Sequence, residues 1–169
     1  AIVRDASKIS QNVPVLEKDV LALSRDDLAP FDVVINAFGA PSELSHLHVT
    51  VGQHLIALLQ GTATRLLVVG GAGSLFVNGQ QLVDSPEFPA AIKPGASAAR
   101  DMFTELQQES SLDWTMLSPA VGFHGGSAAQ ARGRTGSFRT GKDEPLMNAD
   151  GTPGDISVQD LAVALVDAL

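Results

Sequence analysis

The sequence predicts an α/β domain built on a parallel sheet with helices on both faces. Three observations carry that expectation. Short apolar runs rich in Val, Ile and Leu alternate along the chain with longer amphipathic stretches. Within the short runs the apolar residues are continuous, as in strands covered on both faces. Finally, the two longest irregular segments each follow such a run, on the sheet edge where open parallel sheets hold their ligands.

In chain order the candidate strands are residues 1–3, 13–16, 32–36, 65–69 and 114–118. Residues 44–60 form the first long helical pattern, with Leu44, Leu47, Val51, Leu55, Leu58 and Leu59 at helical spacing. Residues 95–109 repeat it with Ala98, Met102 and Leu106, and Pro94 suits the first turn. Residues 158–169 close the chain with Leu161, Ala162, Leu165 and Val166 behind Ser157, a good N-cap. Strand–helix alternation of this kind implies crossover connections and a parallel sheet. Segments 70–93 and 122–155 break the alternation, and irregular stretches of that length are usually functional. Within the second, residues 127–134 (Ser-Ala-Ala-Gln-Ala-Arg-Gly-Arg) read as a flexible insert.

Composition narrows the function classes. With 169 residues, 44% hydrophobic and 18% charged, the chain has the size and apolar content of one globular domain, residues 1–169. A net charge of -8 repels phosphate backbones, so nucleic acid is not an expected partner. The absence of cysteine excludes disulfides, thiolate metal sites and cysteine nucleophiles. No run reaches the roughly 20 apolar residues of a bilayer span, so no membrane partner is expected. No signal peptide is visible, and a cytoplasmic protein, monomer or homodimer, is the expectation. The chain opens on Ala1 rather than Met.

The candidate functional residues sit at strand ends. In a dinucleotide-binding fold the end of the second strand chooses the cofactor: an acidic residue takes the ribose hydroxyls, an arginine the 2′-phosphate. Arg4 ends the first candidate strand and Lys8 follows four residues on, which suits NADP. Asn36, Ala37, Phe38 and Gly39 end a buried strand, and Gly39 lets backbone approach a ligand closely. Gly70, Gly71 and Ser74 follow the fully apolar run 66–69, and the Ser74 hydroxyl is placed to bond a nicotinamide carboxamide or a substrate carbonyl. No Gly-x-Ser-x-Gly elbow and no Walker P-loop surrounds it. Ser118 and Pro119 present a fixed turn, and Ala120 leaves room for a flat ring. His46 and His48, two apart, have poor spacing for a metal on one helix face, and no metal is expected. His124 lies in the second long loop, where it can face a ligand or solvent.

Taken together, these segments resemble the atypical short-chain dehydrogenase/reductases of the NADH-flavin-reductase-like, NAD(P)H-binding group, related to biliverdin/flavin reductases and NmrA-like redox sensors. The matching stretches are Ile-Val-Arg-Asp at 2–5, Asp19 and Val20, Asn-Ala-Phe-Gly at 36–39, Val-Gly-Gly-Ala-Gly-Ser at 69–74, and Asp-Trp-Thr-Met-Leu-Ser-Pro-Ala at 113–120. Arg-Thr-Gly-Ser-Phe-Arg at 134–139, Asp150 with Gly151, and Ile-Ser-Val-Gln-Asp-Leu-Ala at 156–162 continue the match in order. The resemblance implies a Rossmann-type doubly wound parallel sheet with helices on both faces. It also implies NADP(H) contacts from Arg4, Asp19 and Val20 beside the adenine, residues 36–39 along the dinucleotide, and Ser74 with Ser118, Pro119 and Ala120 near the nicotinamide.

Two departures from the family pattern shape the expected chemistry. Family members begin with a strand, a Gly-x-x-Gly-x-x-Gly loop and a helix, a first βα unit absent from this chain, and a βαβ unit takes roughly 30 residues. The absent strand would be the central one, so this chain is expected to be a fragment of a longer protein and, by itself, not to fold as a stable monomer. The chain also has no tyrosine. In Phe-Pro-Ala-Ala-Ile-Lys-Pro at 88–94, Ile92 takes the place of the family's aromatic residue while Lys93 remains. Typical dehydrogenases use a Tyr-Lys pair for acid–base work. Hydride transfer to a flavin, quinone or similar flat acceptor needs stacked rings and little acid–base help. An NADPH-dependent reductase of such a small-molecule acceptor (FMN or FAD among them) is therefore expected, with Ser74 and Lys93 as its candidate catalytic residues. The 122–155 loop would wall the pocket, and Arg134 or Arg139 would meet a flavin phosphate. The alternative is a silent NADP(H) sensor acting through a protein partner; an epimerase ranks lowest, because its acid–base pair is missing.

Overall fold

The computed structural model describes residues 1–123 and 127–169. Its centre is a parallel sheet of β3 (Val33–Asn36), β4 (Arg65–Val69) and β7 (Trp114–Leu117), with β4 in the middle. Val33 aligns with Arg65 and Leu66 with Trp114, so the three strands end level. A second parallel pair joins β1 (Ile2–Val3) to β2 (Leu16–Glu17). A short antiparallel hairpin, β5 (Phe76–Val77) and β6 (Gln80–Gln81), occupies the first long loop.

The reason β4 lies at the centre is legible in its residues. Leu66 and Leu67 are fully buried and Val68 nearly so, which requires cover on both faces. Leu66 and Val68 pack with Val51, Leu55 and Leu59 of α2 (Leu47–Leu59) and Met102 and Leu106 of α3 (Lys93–Gln107). Arg65 and Leu67 alternate to the opposite face. There Arg65 donates to the Ala168 carbonyl at 2.6 Å and so ties down the end of α5 (Val158–Asp167). Helices on both faces make the sheet doubly wound. The two helices on the first face approach closely at Gly52, where a Cβ would stand 1.7 Å from Met102 Sδ.

Several local expectations need correction. The second strand is Leu16–Glu17, later than residues 13–16, and Val13 and Val15 are exposed. The first long helix starts at Leu47, after a separate 3-10 turn at Ser42–Leu44. α3 starts at Lys93, two residues early, with Pro94 inside its first turn. Residues 127–134 are not a flexible insert: they hold the helix α4 (Ala128–Arg132). Ser127 caps it by accepting from the Gln130 amide, and Asp155 accepts from the Ala129 amide at 3.0 Å and pairs with Arg132 at 3.0 Å. A carboxylate at a helix start and a capping hydroxyl are what organise this stretch.

Between β1 and β3 no ladder exists among the described residues. A cavity of about 560 Å³ lies there, floored by Ile2, Leu23, Leu28, Val34, Val51 and Leu55. No helix among the described residues is long and apolar enough to cross a membrane.

Candidate functional site

The strands run parallel within the three-stranded sheet and within the β1–β2 pair, so in each the C-terminal ends deliver side chains to one edge. The 560 Å³ cavity gathers the first group there: Arg4, Lys8, Asp19, Val20, Asn36, Ala37, Phe38 and Gly39 all line it. Arg4 is exposed just past β1, and its guanidinium has no hydrogen-bond or ion-pair partner among the described residues. Lys8 stands 3.8 Å from Asp5, a solvated pair. Asp19 turns its carboxylate onto the Leu21 amide at 2.9 Å, capping the turn after β2. Asn36 accepts from the Phe38 amide at 3.1 Å, which folds the chain over the end of β3. Space beside Gly39 is open, with nothing within 4 Å of where a Cβ would be. Phe38 meets His48 edge-on at 5.4 Å, and burial lowers the His48 pKa.

A second cavity, of about 180 Å³, opens at the ends of β4 and β7. Ser74, Ser118, Pro119 and Ala120 line it together with Phe103 and Met116. Ser74 is 5% exposed and donates its hydroxyl to the Gly71 carbonyl at 2.9 Å. Its oxygen lies 3.1 Å from Ser118 Oγ. Gly70 makes this pairing possible, because a Cβ there would stand 2.6 Å from Ser118 Oγ and 2.7 Å from Met116 Cε. Gly71 sits one residue on, and Ser74 both donates to its carbonyl and caps back through its own amide at 3.1 Å.

The far wall comes from the second long loop: Arg139, Lys142, Asp143, Glu144 and Leu146 face the same cavity. Asp160 fixes that loop from below. Its buried carboxylate accepts from Thr135 Oγ1 at 2.7 Å and from the Thr135 and Gly136 amides at 2.8 Å each. The Thr135 hydroxyl foremost, with the two amides, outweighs burial and holds the Asp160 pKa below the usual carboxylate range. Arg139 donates to the Met147 carbonyl at 3.1 Å, which keeps its guanidinium at the cavity rim. Arg134 is exposed and lines neither cavity.

Most candidate residues at the strand ends thus line one of two cavities, whereas Gly70 and Gly71 line neither. Lys93 stands apart, exposed at the first position of α3 and lining neither cavity. His124 lies outside the described residues. Sequence reasoning missed three participants. Met116 was legible in principle, since it lies two residues before Ser118 and so shares its face of the strand. Phe103 and the Asp160–Thr135 brace join residues far apart in sequence, and no local pattern announces them.

A doubly wound parallel sheet with cavities at the C-terminal ends of its strands is the architecture of a Rossmann-type domain. The comparisons with known proteins agree. The NAD(P)H-binding family profile matches residues 1–169, and the chain belongs to that family, among the atypical short-chain dehydrogenase/reductase-like proteins. It is 49% identical over 174 residues to YwnB of Bacillus subtilis strain 168, an uncharacterised protein, covering 100% of this chain and 79% of that relative. Its structure resembles that of a Streptococcus pneumoniae TIGR4 protein provisionally named an NADH-flavin reductase, with a TM-score of 0.88 and 39% identity over 98% of this chain and 78% of that one. A Bacteroides thetaiotaomicron protein provisionally named an epimerase matches with a TM-score of 0.80 and 34% identity, over 98% and 76% of the two chains.

Proposed function

We propose that the protein is an NADP(H)-dependent reductase that passes hydride to a flat conjugated acceptor, a flavin foremost. The observation that carries this reading is that strand-end residues line two cavities, Arg4, Lys8, Asn36 and Gly39 in the first and Ser118, Pro119 and Ala120 in the second, which is partly apolar. The residues present fit the cofactor. Arg4 offers a guanidinium without a partner among the described residues at a strand end, suited to the 2′-phosphate. The backbone of residues 36–39 is open to close approach at Gly39.

In this reading Arg4 holds the 2′-phosphate, Lys8 adds a screened charge, and Asp19 and Val20 border the adenine. Asn36, Ala37, Phe38 and Gly39 run along the dinucleotide, with Gly70 and Gly71 beyond them. Ser118, Pro119 and Ala120 border the nicotinamide, while Phe103 and Met116 give the acceptor an apolar floor that excludes water. When bound, NADPH supplies a hydride with its electron pair, and the proton completing reduction of a flavin comes from water. Lys93 has no part in this scheme. The S. pneumoniae relative supports flavin as the acceptor. An epimerase needs an acid–base pair, and these 169 residues contain no tyrosine to form the usual one.

The test follows NADPH absorbance with FMN, riboflavin or a quinone added to the protein. Oxidation that depends on both the protein and the acceptor supports the reductase. NADP(H) binding without turnover on any acceptor supports the silent sensor instead.

A further inference from the structure

The end of β1 carries both kinds of cofactor determinant side by side. Arg4 and Asp5 follow Val3 directly, and both line the cavity of about 560 Å³. An arginine at such a strand end suits a 2′-phosphate, whereas an acidic residue suits the ribose hydroxyls of NAD. The structure separates their roles. One Asp5 oxygen accepts from the Ser7 hydroxyl at 2.6 Å and from the Ser7 amide at 3.1 Å. Its other oxygen stands 3.8 Å from Lys8 Nζ. The carboxylate is thereby engaged by residues 7 and 8, while Arg4 has no partner among the described residues. Holding the carboxylate in place leaves its charge beside the cavity.

The charges around this strand end nearly cancel. Arg4 and Lys8 bring positive charge to the cavity lining, and Asp5 and Asp19 bring negative charge. Lys18, also in the lining, is taken by Asp27 at 2.6 Å. Glu17 of β2 accepts from the Ala6 amide at 3.1 Å and lies outside the lining. Of the two lining carboxylates, Asp19 is directed to the Leu21 amide after β2, whereas Asp5 adjoins Arg4. We infer that Asp5 is a cofactor-specificity residue: its charge lowers the affinity for NADPH and so narrows the preference for NADPH over NADH. The inference rests on the reductase reading above, in which Arg4 holds the 2′-phosphate, and adds what tunes that contact. A phosphate on Arg4 has the Asp5 carboxylate as its neighbour. Like charges several Å apart in water-exposed surroundings repel, on a scale of about threefold in binding. NADH carries a hydroxyl in place of that phosphate and escapes this repulsion.

The experiment titrates the protein, with no acceptor present, with NADPH and with NADH, and reads binding by calorimetry at low and at high salt. Asp5→Asn removes the charge and keeps the turn, because asparagine caps a helix start as well as aspartate does. The variant should bind NADPH about threefold more tightly and NADH as before. That gain should fade in about 1 M salt, where the screening length falls to about 3 Å. Glu17→Gln removes a charge from outside the cavity lining and should give a smaller gain. Thermal midpoints check that each variant is folded. No NADPH gain in folded Asp5→Asn, an equal gain for NADH, a gain that persists in high salt, or an equal gain from Glu17→Gln overturns the inference and leaves the reductase reading intact. Failure of the wild-type protein to bind either cofactor overturns both.

Discussion

The three-stranded sheet and the β1–β2 pair are built from the same kinds of residue, yet they differ sharply in how they are held. β4 has a strand on either side and helices on both faces, and Leu66 and Leu67 are fully buried. β1 and β2 are two residues each, neither has a second neighbour among the described residues, and Leu16 is 38% exposed. Apolar sequence alone does not make a core strand; the number of neighbours does. The weaker pair nevertheless presents Arg4, the residue on which the cofactor assignment rests. The buried scaffold and the exposed Arg4 thus lie in separate groups of strands. Loops and strand ends positioned by a stable scaffold commonly carry function in this way.

The largest expected effect breaks or sustains the comparison directly. Leu66→Ala should cost about 2–5 kcal/mol, because the cavity it leaves cannot collapse between two strands and two helices. The measurement is denaturant unfolding, and a cost below about 1 kcal/mol would show that β4 is not the keystone. Arg4→Ala should weaken NADPH about tenfold, the equivalent of about 1.4 kcal/mol, and NADH hardly at all. Equal weakening in calorimetric titrations would remove the 2′-phosphate assignment. Leu16→Ala should change stability by no more than about 0.5 kcal/mol, as for other exposed positions. A larger loss in the same unfolding assay would mean that β2 is better covered than its exposure shows.

The smallest effect concerns the brace on the weaker pair. Lys18, just past β2, donates to Asp27 of α1 (Arg25–Leu28) at 2.6 Å, and the Ser24 amide and hydroxyl donate to the same carboxylate at 2.7 Å. The Lys18 contact foremost, then Ser24, lowers the Asp27 pKa from 3.8 to about 2. A depressed carboxyl pKa stabilises the fold above its unfolded value, and that contribution disappears as pH falls through the folded one. Thermal midpoints should therefore decline between about pH 4 and pH 2, and Asp27→Asn should flatten that decline. An unchanged slope in the variant would show that other carboxylates dominate acid unfolding.

Much of the scaffold was legible in the chain. The apolar run at 65–69 and the spacing of Val51, Leu55, Met102 and Leu106 pointed to a buried strand and two covering helices, and they are found. Local pattern misled at Val13 and Val15, which look like strand but are exposed and precede the paired residues Leu16–Glu17. It misled again at 127–134, where an Ala- and Arg-containing stretch between glycines is helical, with Ser127 capping it and Asp155, from the far end of the same loop, reaching its first turn.

By itself, then, the sequence determined the α/β class, the positions of the central strands and the strand-end residues that meet at the edge. These follow from periodicity and from the geometry of parallel strands, which any local segment carries. Only the tertiary structure decided that Ser74 faces Ser118, that Asp160 anchors the far loop, and that Lys93 stands away from both cavities. Each is a relation between segments distant in the chain. The class of fold is written in spacing, but the polarity of the site is set by contact.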